Sequence, residues 1–337
     1  TPIKFLKGEI LLLDKDNYVA SVYDANLNFK FAENSSNIKI KGKFFDDDLN
    51  ISIKSKIIDN KMSTNIILKM PDFNLLTKVK FLNLDNEKDI ITGDIFIKKD
   101  KNKFTGIFNY KNDEIIINKS NLRNIFLDGK LNGKIKLLPF FDFNLDLNLN
   151  SVNFTKLYSY FLALDAKKQK SIFKINKKIN GKINLSSDRI YSSYNLVKSF
   201  ESRIAFSNGN ISIEQFLVNL GKLGAADIIG TINNDKKFSN FKYESNIFID
   251  NEKKFLSKFG IYKRQNIPSN LFVSGNFDLK NAKAIFYEIS NNKKLTAEDI
   301  NFIEQEFNDY MLEDDYKNLF LFPKFKDFIK SVTAKDN

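Results

Sequence analysis

The sequence predicts a mainly β fold: a long, strongly curved antiparallel sheet forming a β-groove, with a few helices that include a C-terminal helical pair. Three observations carry this. From Phe141 to Asn150 apolar and polar residues alternate without a break, so that Phe141, Phe143, Leu145, Leu147 and Leu149 share one face of a strand, and Asp142, Asn144, Asp146, Asn148 and Asn150 the other. Nine of the 13 glycines sit at the centre of an apolar-x-Gly-x-apolar frame, where 42% hydrophobic content would give roughly two by chance. After Ser290 the apolar period changes from that of a strand to that of a helix. Residues 1–290 are therefore expected to form the curved β-groove domain, with a helical insertion near 155–170, and residues 291–337 a helical segment packing on the sheet.

Taken in order, Leu6 to Phe31 reads as two strands around the turn signal at Asp14–Asn17, and Ile38 to Ile58 as a second pair around Asp46–Asp48. Three adjacent carboxylates could hold calcium or serve acid/base chemistry. They lack the ligand spacing and the glycine of a calcium loop, and read as a solvated turn. Residues 62–84 and 90–127 continue as an antiparallel meander.

The glycine frame recurs around Gly8, Gly42, Gly93, Gly106, Gly129, Gly133, Gly181, Gly230 and Gly275. Residues i−2, i and i+2 of a strand share a face, so each glycine omits a side chain from the apolar face, permitting a sharp bend, a bulge or close approach of another backbone. The alternatives are bulges in an ordinary sandwich and one long sheet coiled around its apolar side.

Leu157, Tyr160, Phe161 and Leu164 have helical spacing, with Asn153 or Thr155 as cap and an end near Lys170. Residues 189–200 fit helix or strand. The dipeptide Asn208-Gly209 predicts a two-residue hairpin turn that pairs Phe206 with Ile211 and Ile204 with Ile213. Gly224 to Gly230 lacks the Gly-Lys-Ser/Thr end of a phosphate loop. Thr296 opens a helix with the stripe Ile300, Ile303, Phe307 and Met311, and its acidic face could lie against the Lys-rich strands. Pro323 stands in the first turn of another, carrying Phe325, Phe328, Ile329 and Val332.

Composition narrows function more by exclusion than by indication. With no Cys and no His the chain has no thiolate nucleophile, no Cys or His metal ligand and no His general base, which removes most hydrolase triads. No catalytic residue, metal ligand or cofactor site is predicted, and the chain is not read as an enzyme. The net charge of +12 admits nucleic acid or an anionic membrane surface as partner, although lysines spread over the polar positions of strands also read as a solvated face. No apolar run approaches the roughly 18 residues that span a bilayer. The chain opens on Thr1, as expected of a processed product or an excised part of a longer protein.

Through Pro139–Leu149, Ile179–Leu185 and Phe206–Gly230, in that order, the sequence resembles AsmA-like proteins of the Gram-negative envelope and their TamB-type relatives, over roughly residues 1 to 280. The resemblance implies a repeating β-groove that carries lipid between inner and outer membranes, in the periplasm. It also implies an N-terminal inner-membrane anchor that this chain lacks. The acidic C-terminal helix is not a general feature of that family. The expected partners are phospholipid acyl chains, and both membranes through missing segments or partner proteins, with no nucleic acid. The groove candidates are Phe141, Phe143, Leu145, Leu147, Leu149, Ile204, Phe206, Ile211 and Ile213. The alternatives are an assembly factor for outer-membrane proteins acting through a sheet edge, and a closed structural β-domain.

Overall fold

The computed structural model describes every residue except 1, 15–16, 45–46, 60, 84–89, 137–140, 166–168, 170–173, 178, 193, 235–238, 263–268, 292 and 335–337. The fold is mainly β and antiparallel, with helices concentrated at the C-terminal end, as the alternation and the late change of period predict. Two compact units, Thr1–Leu147 and Asn148–Asn337, divide within one strand.

The first unit is a meander in which each strand pairs antiparallel with the next: β1 (Ile3–Asp14), β2 (Asn17–Ala32), β3 (Ser35–Phe44), β4 (Asp47–Ile58), β5 (Lys61–Met70), β6 (Leu75–Asn83), β7 (Ile91–Lys99), β8 (Asn102–Lys111), β9 (Glu114–Arg123) and β10 (Leu127–Lys136). The centre of the predicted turn at 14–17 lies outside the described residues, as does Asp46 of the turn predicted at 46–48; Asp47 and Asp48 already belong to β4, opposite Phe44 and Lys43, so that turn is placed earlier than expected. Strand β11 (Phe141–Asn153) carries the alternating segment. Asn144, Asp146, Asn148 and Asn150 are exposed, while Phe143 and Leu149 are buried.

Because β3 to β8 pair almost without slippage, their apolar positions line up in rows across the strands. One row runs Ile38, Ile53, Ile66, Val79, Ile95, Gly106. Its neighbour runs Phe5, Leu27, Ile40, Ile51, Leu68, Thr77, Ile97, Phe104, Leu122, Gly129. At ~4.8 Å per strand the second row extends roughly 43 Å. From Ile38 to Ile97 the apolar members of both rows are half-buried, adjoining rows covering their sides. The one helical turn among the described residues of this unit, Pro71–Phe73, has no buried residue.

The second unit continues with α1 (Phe154–Leu162), β12 (Ile179–Ser187), β13 (Ile190–Tyr191), β14 (Ser199–Ser207), β15 (Asn210–Asn219), β16 (Gly224–Asn234), β17 (Ser239–Ile249), α2 (Glu252–Lys258), β18 (Asn270–Asp278), β19 (Lys283–Asn291), β20 (Lys293–Lys294), α3 (Ala297–Met311) and α4 (Phe322–Ala334). Strands β14 to β19 form an antiparallel meander with β12 beside β14. Among its described residues, the ambiguous stretch 189–200 contains only the short β13, parallel to the end of β11, and the start of β14. Asn153 caps α1 by accepting from the Lys156 N–H at 2.9 Å; the helix ends at Leu162, and of the expected continuation to Lys170 residues 166–168 and 170 lie outside the described residues.

The nine frame glycines all fall within strands. Seven described pairings carry a register shift, and in six of them a frame glycine stands at the shift: Gly8, Gly42, Gly106, Gly129 with Gly133, Gly230 and Gly275. Bulges turn and twist a strand locally, so these positions are where the sheets are made to bend. The hairpin at Asn208-Gly209 has the predicted register, with φ of 52° and 83° at its two turn residues. Gly209→Ala is therefore expected to cost about 1 kcal/mol, read as a lowered denaturant midpoint; no change would mean the turn does not hold this backbone.

Candidate functional site

In the second unit the apolar face is covered, and the cover leaves a space. Two rows run from the hairpin into this region: Phe206, Ile211, Ile232, Phe241, Phe277, and beside it Ile204, Ile213, Gly230, Tyr243, Gly275, Phe286. Above β17, β18 and β19 the helices cover a half-open cavity of about 1410 Å³. Its floor is Phe241, Tyr243, Ile247, Val273, Phe277, Phe286 and Ile289. Its roof comes from Leu157 and Phe161 of α1, Phe255 of α2, Ile303 and Phe307 of α3, and Phe325, Phe328 and Val332 of α4.

The helices are seated by residue-specific contacts. Strand β19 would expose one edge of the sheet, but Glu304 of α3 accepts from the Phe286 N–H at 2.9 Å. Asn308 accepts from the Ala284 N–H at 2.9 Å and donates to the Ala284 carbonyl at 3.0 Å. These side chains bond the strand edge much as another strand would, which removes an open template for pairing. Glu304 of the acidic helix is thus held by a backbone N–H of β19. At the start of α3, Thr296 accepts from the Asp299 N–H at 3.2 Å, and its hydroxyl donates to the Asp299 carboxylate at 2.7 Å. Rings tie the roof together: Phe286 to Phe307 and Phe307 to Phe328 each at 5.5 Å, and fully buried Phe259 to Phe322 at 5.4 Å and Phe325 at 5.5 Å. Tyr158 of α1 donates to the Tyr316 and Lys317 carbonyls, and its ring lies 5.3 Å from Phe320.

Glycine shapes the floor. A Cβ on Gly275 would strike the Ile285 carbonyl and come within 2.9 Å of the Tyr243 hydroxyl. One on Gly230 would strike the Lys242 carbonyl and come within 2.7 Å of Phe241. The two rings lie where side chains have been omitted.

The sequence-derived candidates divide. Ile204, Phe206 and Ile211 pack in a cluster with Ile232 and Leu279, against the cavity-lining Phe241 and Phe277, without lining the cavity themselves. Ile213 is half-buried opposite Gly230. Phe143 and Leu149 are buried, Leu145 and Leu147 half-buried and Phe141 exposed; none lines the cavity. Helix α2 was not anticipated, although Asn251 caps it by accepting from the Lys254 N–H at 2.9 Å and Phe255 and Phe259 are spaced by four. Among the described residues no group of three or more His, Cys, Asp or Glu is placed to hold a metal ion. No described helix is long and apolar enough to cross a membrane. Compared with family models, curated proteins and solved structures, the chain matches none.

Burial pushes the Tyr316 hydroxyl up to about 12, with Asp315 and Asp278 adding to the rise. Burial also raises Tyr243, with Glu304 adding. Tyr316 donates to the Leu279 carbonyl, so the fold holds the neutral phenol. The sign follows: Tyr316's contribution is fully present below the ordinary value of 10 and is lost as pH rises through about 12. A phenolate absorbance titration is expected to show these tyrosines ionising only as the fold collapses in alkali. Ionisation of every tyrosine near 10 in a folded chain would contradict that.

Proposed function

We propose that this chain is an envelope lipid-handling protein that holds phospholipid acyl chains passively against its apolar sheet faces, without catalysis or cofactor. The observation that carries the reading is the mismatch between the size of the cavity and the chemistry of its wall. The cavity, about 1410 Å³, is half-open, so that either solvent or a ligand occupies it and the chemistry of the wall decides which is favoured. Water finds few partners there, because five of the seven polar side chains on the wall, Tyr158, Ser245, Asp299, Tyr316 and Thr333, already bond to groups of the protein. An acyl chain needs no polar partner and gains ~0.8 kcal/mol for each CH₂ buried. The half-buried rows of the first unit offer a second surface of the same kind.

The resemblance to AsmA-like proteins supports placing the chain in the periplasm between two membranes. The sealing of β19 by Glu304 and Asn308 speaks against assembly through that edge. Organic extraction of the purified protein followed by mass spectrometry is expected to release glycerophospholipid in stoichiometric amount. Extracts free of lipid, from a chain that also takes up no added fluorescent fatty acid, would overturn the reading.

A further inference from the structure

The strands that carry the apolar rows of the first unit carry a cationic field on their other face. Residues 1–147 are nearly balanced, with 24 Lys and Arg against 20 Asp and Glu. Over β3 to β8 the balance is broken. Three rows on the polar face hold Lys39, Lys41, Lys54, Lys69, Lys78, Lys80, Lys98 and Lys103, all exposed, against a single carboxylate, Asp94. Among the described residues of β3 to β8 and their connections, the other acids, Asp47, Asp48, Asp59, Asp72 and Asp100, stand at or near the turns.

One place on this face is shaped. Opposite Gly106 the β8–β9 register shifts, and Lys119, at φ 44°, occupies the bulge. A bulge re-aims a side chain, and Lys119 joins Lys78 and Lys80, with the one carboxylate Asp94, around a depression of about 310 Å³ that Phe96 and Thr105 also line, so that three cations face one anion there. Lys78 lies 5.9 Å from the centre of the Phe96 ring.

We propose that this face docks on the anionic surface of a lipid bilayer, with the Lys78, Lys80 and Lys119 depression receiving a headgroup phosphate. Charge complementarity selects an anionic partner. Ile67, Leu76, Phe96 and Ile107, interleaved among the lysines on the same face, favour a bilayer interface, which accepts apolar and aromatic side chains beside cations. The choice of a bilayer over nucleic acid also rests on the lipid-handling reading above.

The test uses the full chain and flotation with vesicles of phosphatidylcholine, with and without phosphatidylglycerol. Binding is expected only with phosphatidylglycerol and should weaken with added salt. A Lys78→Gln, Lys80→Gln, Lys119→Gln variant should bind on the order of 100-fold more weakly, about 5-fold for each lysine. A Lys253→Gln, Lys254→Gln, Lys258→Gln variant, which removes equal charge from α2, should bind as the parent does; circular dichroism checks that both variants fold. Equal weakening by both would mean that only net charge matters, and would overturn the site. Absence of vesicle binding by the parent also overturns it, as does binding of inorganic phosphate alone or preferential binding of duplex DNA at the same salt. Lipid extracted from the same samples reports the cavity separately, so a lipid-free chain that still floats with anionic vesicles would sink the lipid-handling reading and leave the docking face standing.

Discussion

Gly275→Val is expected to destabilise the second unit by about 3 kcal/mol, among the larger losses available to a single strand position. The added Cβ would strike the Ile285 carbonyl across the β18–β19 pair and meet the Tyr243 hydroxyl at 2.9 Å and its ring at 3.2 Å. Neither can move away cheaply: the carbonyl belongs to the bulged ladder, and the ring lies on the cavity floor. Gly106→Ala is the contrasting change. There the nearest atoms, in Phe104 and Ser120, are 3.4 Å away, an ordinary contact, so the expected loss is under about 1 kcal/mol. Denaturant midpoints of the two variants check this. Similar losses at both sites would mean that the glycines serve backbone freedom alone, and not the space that Tyr243 occupies.

The second large effect is on ligand. Val273 faces the cavity from the row Ile228, Ser245, Val273, Ile289. In Val273→Asp a carboxylate would stand beside hydrocarbon, an unfavourable contact of ~3 kcal/mol, and retained lipid should fall on the order of 100-fold at a factor of ten per ~1.4 kcal/mol. Ser274→Lys, one residue along on the other face between Glu244 and Glu288, should keep its lipid. Quantifying extracted lipid per protein decides it. Equal retention by the two variants would place the lipid elsewhere or nowhere.

Local physics explains which features were legible in the sequence. The alternation of Phe141–Asn150, the Asn208-Gly209 register, the strand placement of the frame glycines and the two C-terminal helices each depend on neighbours within a few residues, or on a single hairpin. The cavity does not. Its wall draws on α1, β16 to β19, α2, α3 and α4, and no periodicity reports that Phe161, Phe255 and Phe328 line one space. The hairpin residues Ile204, Phe206, Ile211 and Ile213 stand in the rows that lead to the cavity, but strand order, not spacing along the chain, carries those rows to Phe241 and Tyr243. Glu304 and Asn308 stand outside the apolar stripe that helical spacing marks, and they bond to an edge that exists only once β19 has paired with β18. Helix α2, at seven residues, is too short for periodicity to mark.

The most direct test of the central claim is photo-crosslinking in cells from a diazirine amino acid placed at Val273 and, separately, at Ser274. If acyl chains occupy the cavity, mass spectrometry will find glycerophospholipid adducts at position 273 and few at position 274. Crosslinks from position 273 confined to α3 and α4, with no lipid adduct, would mean that the helices close onto the sheet and that the chain holds no lipid there.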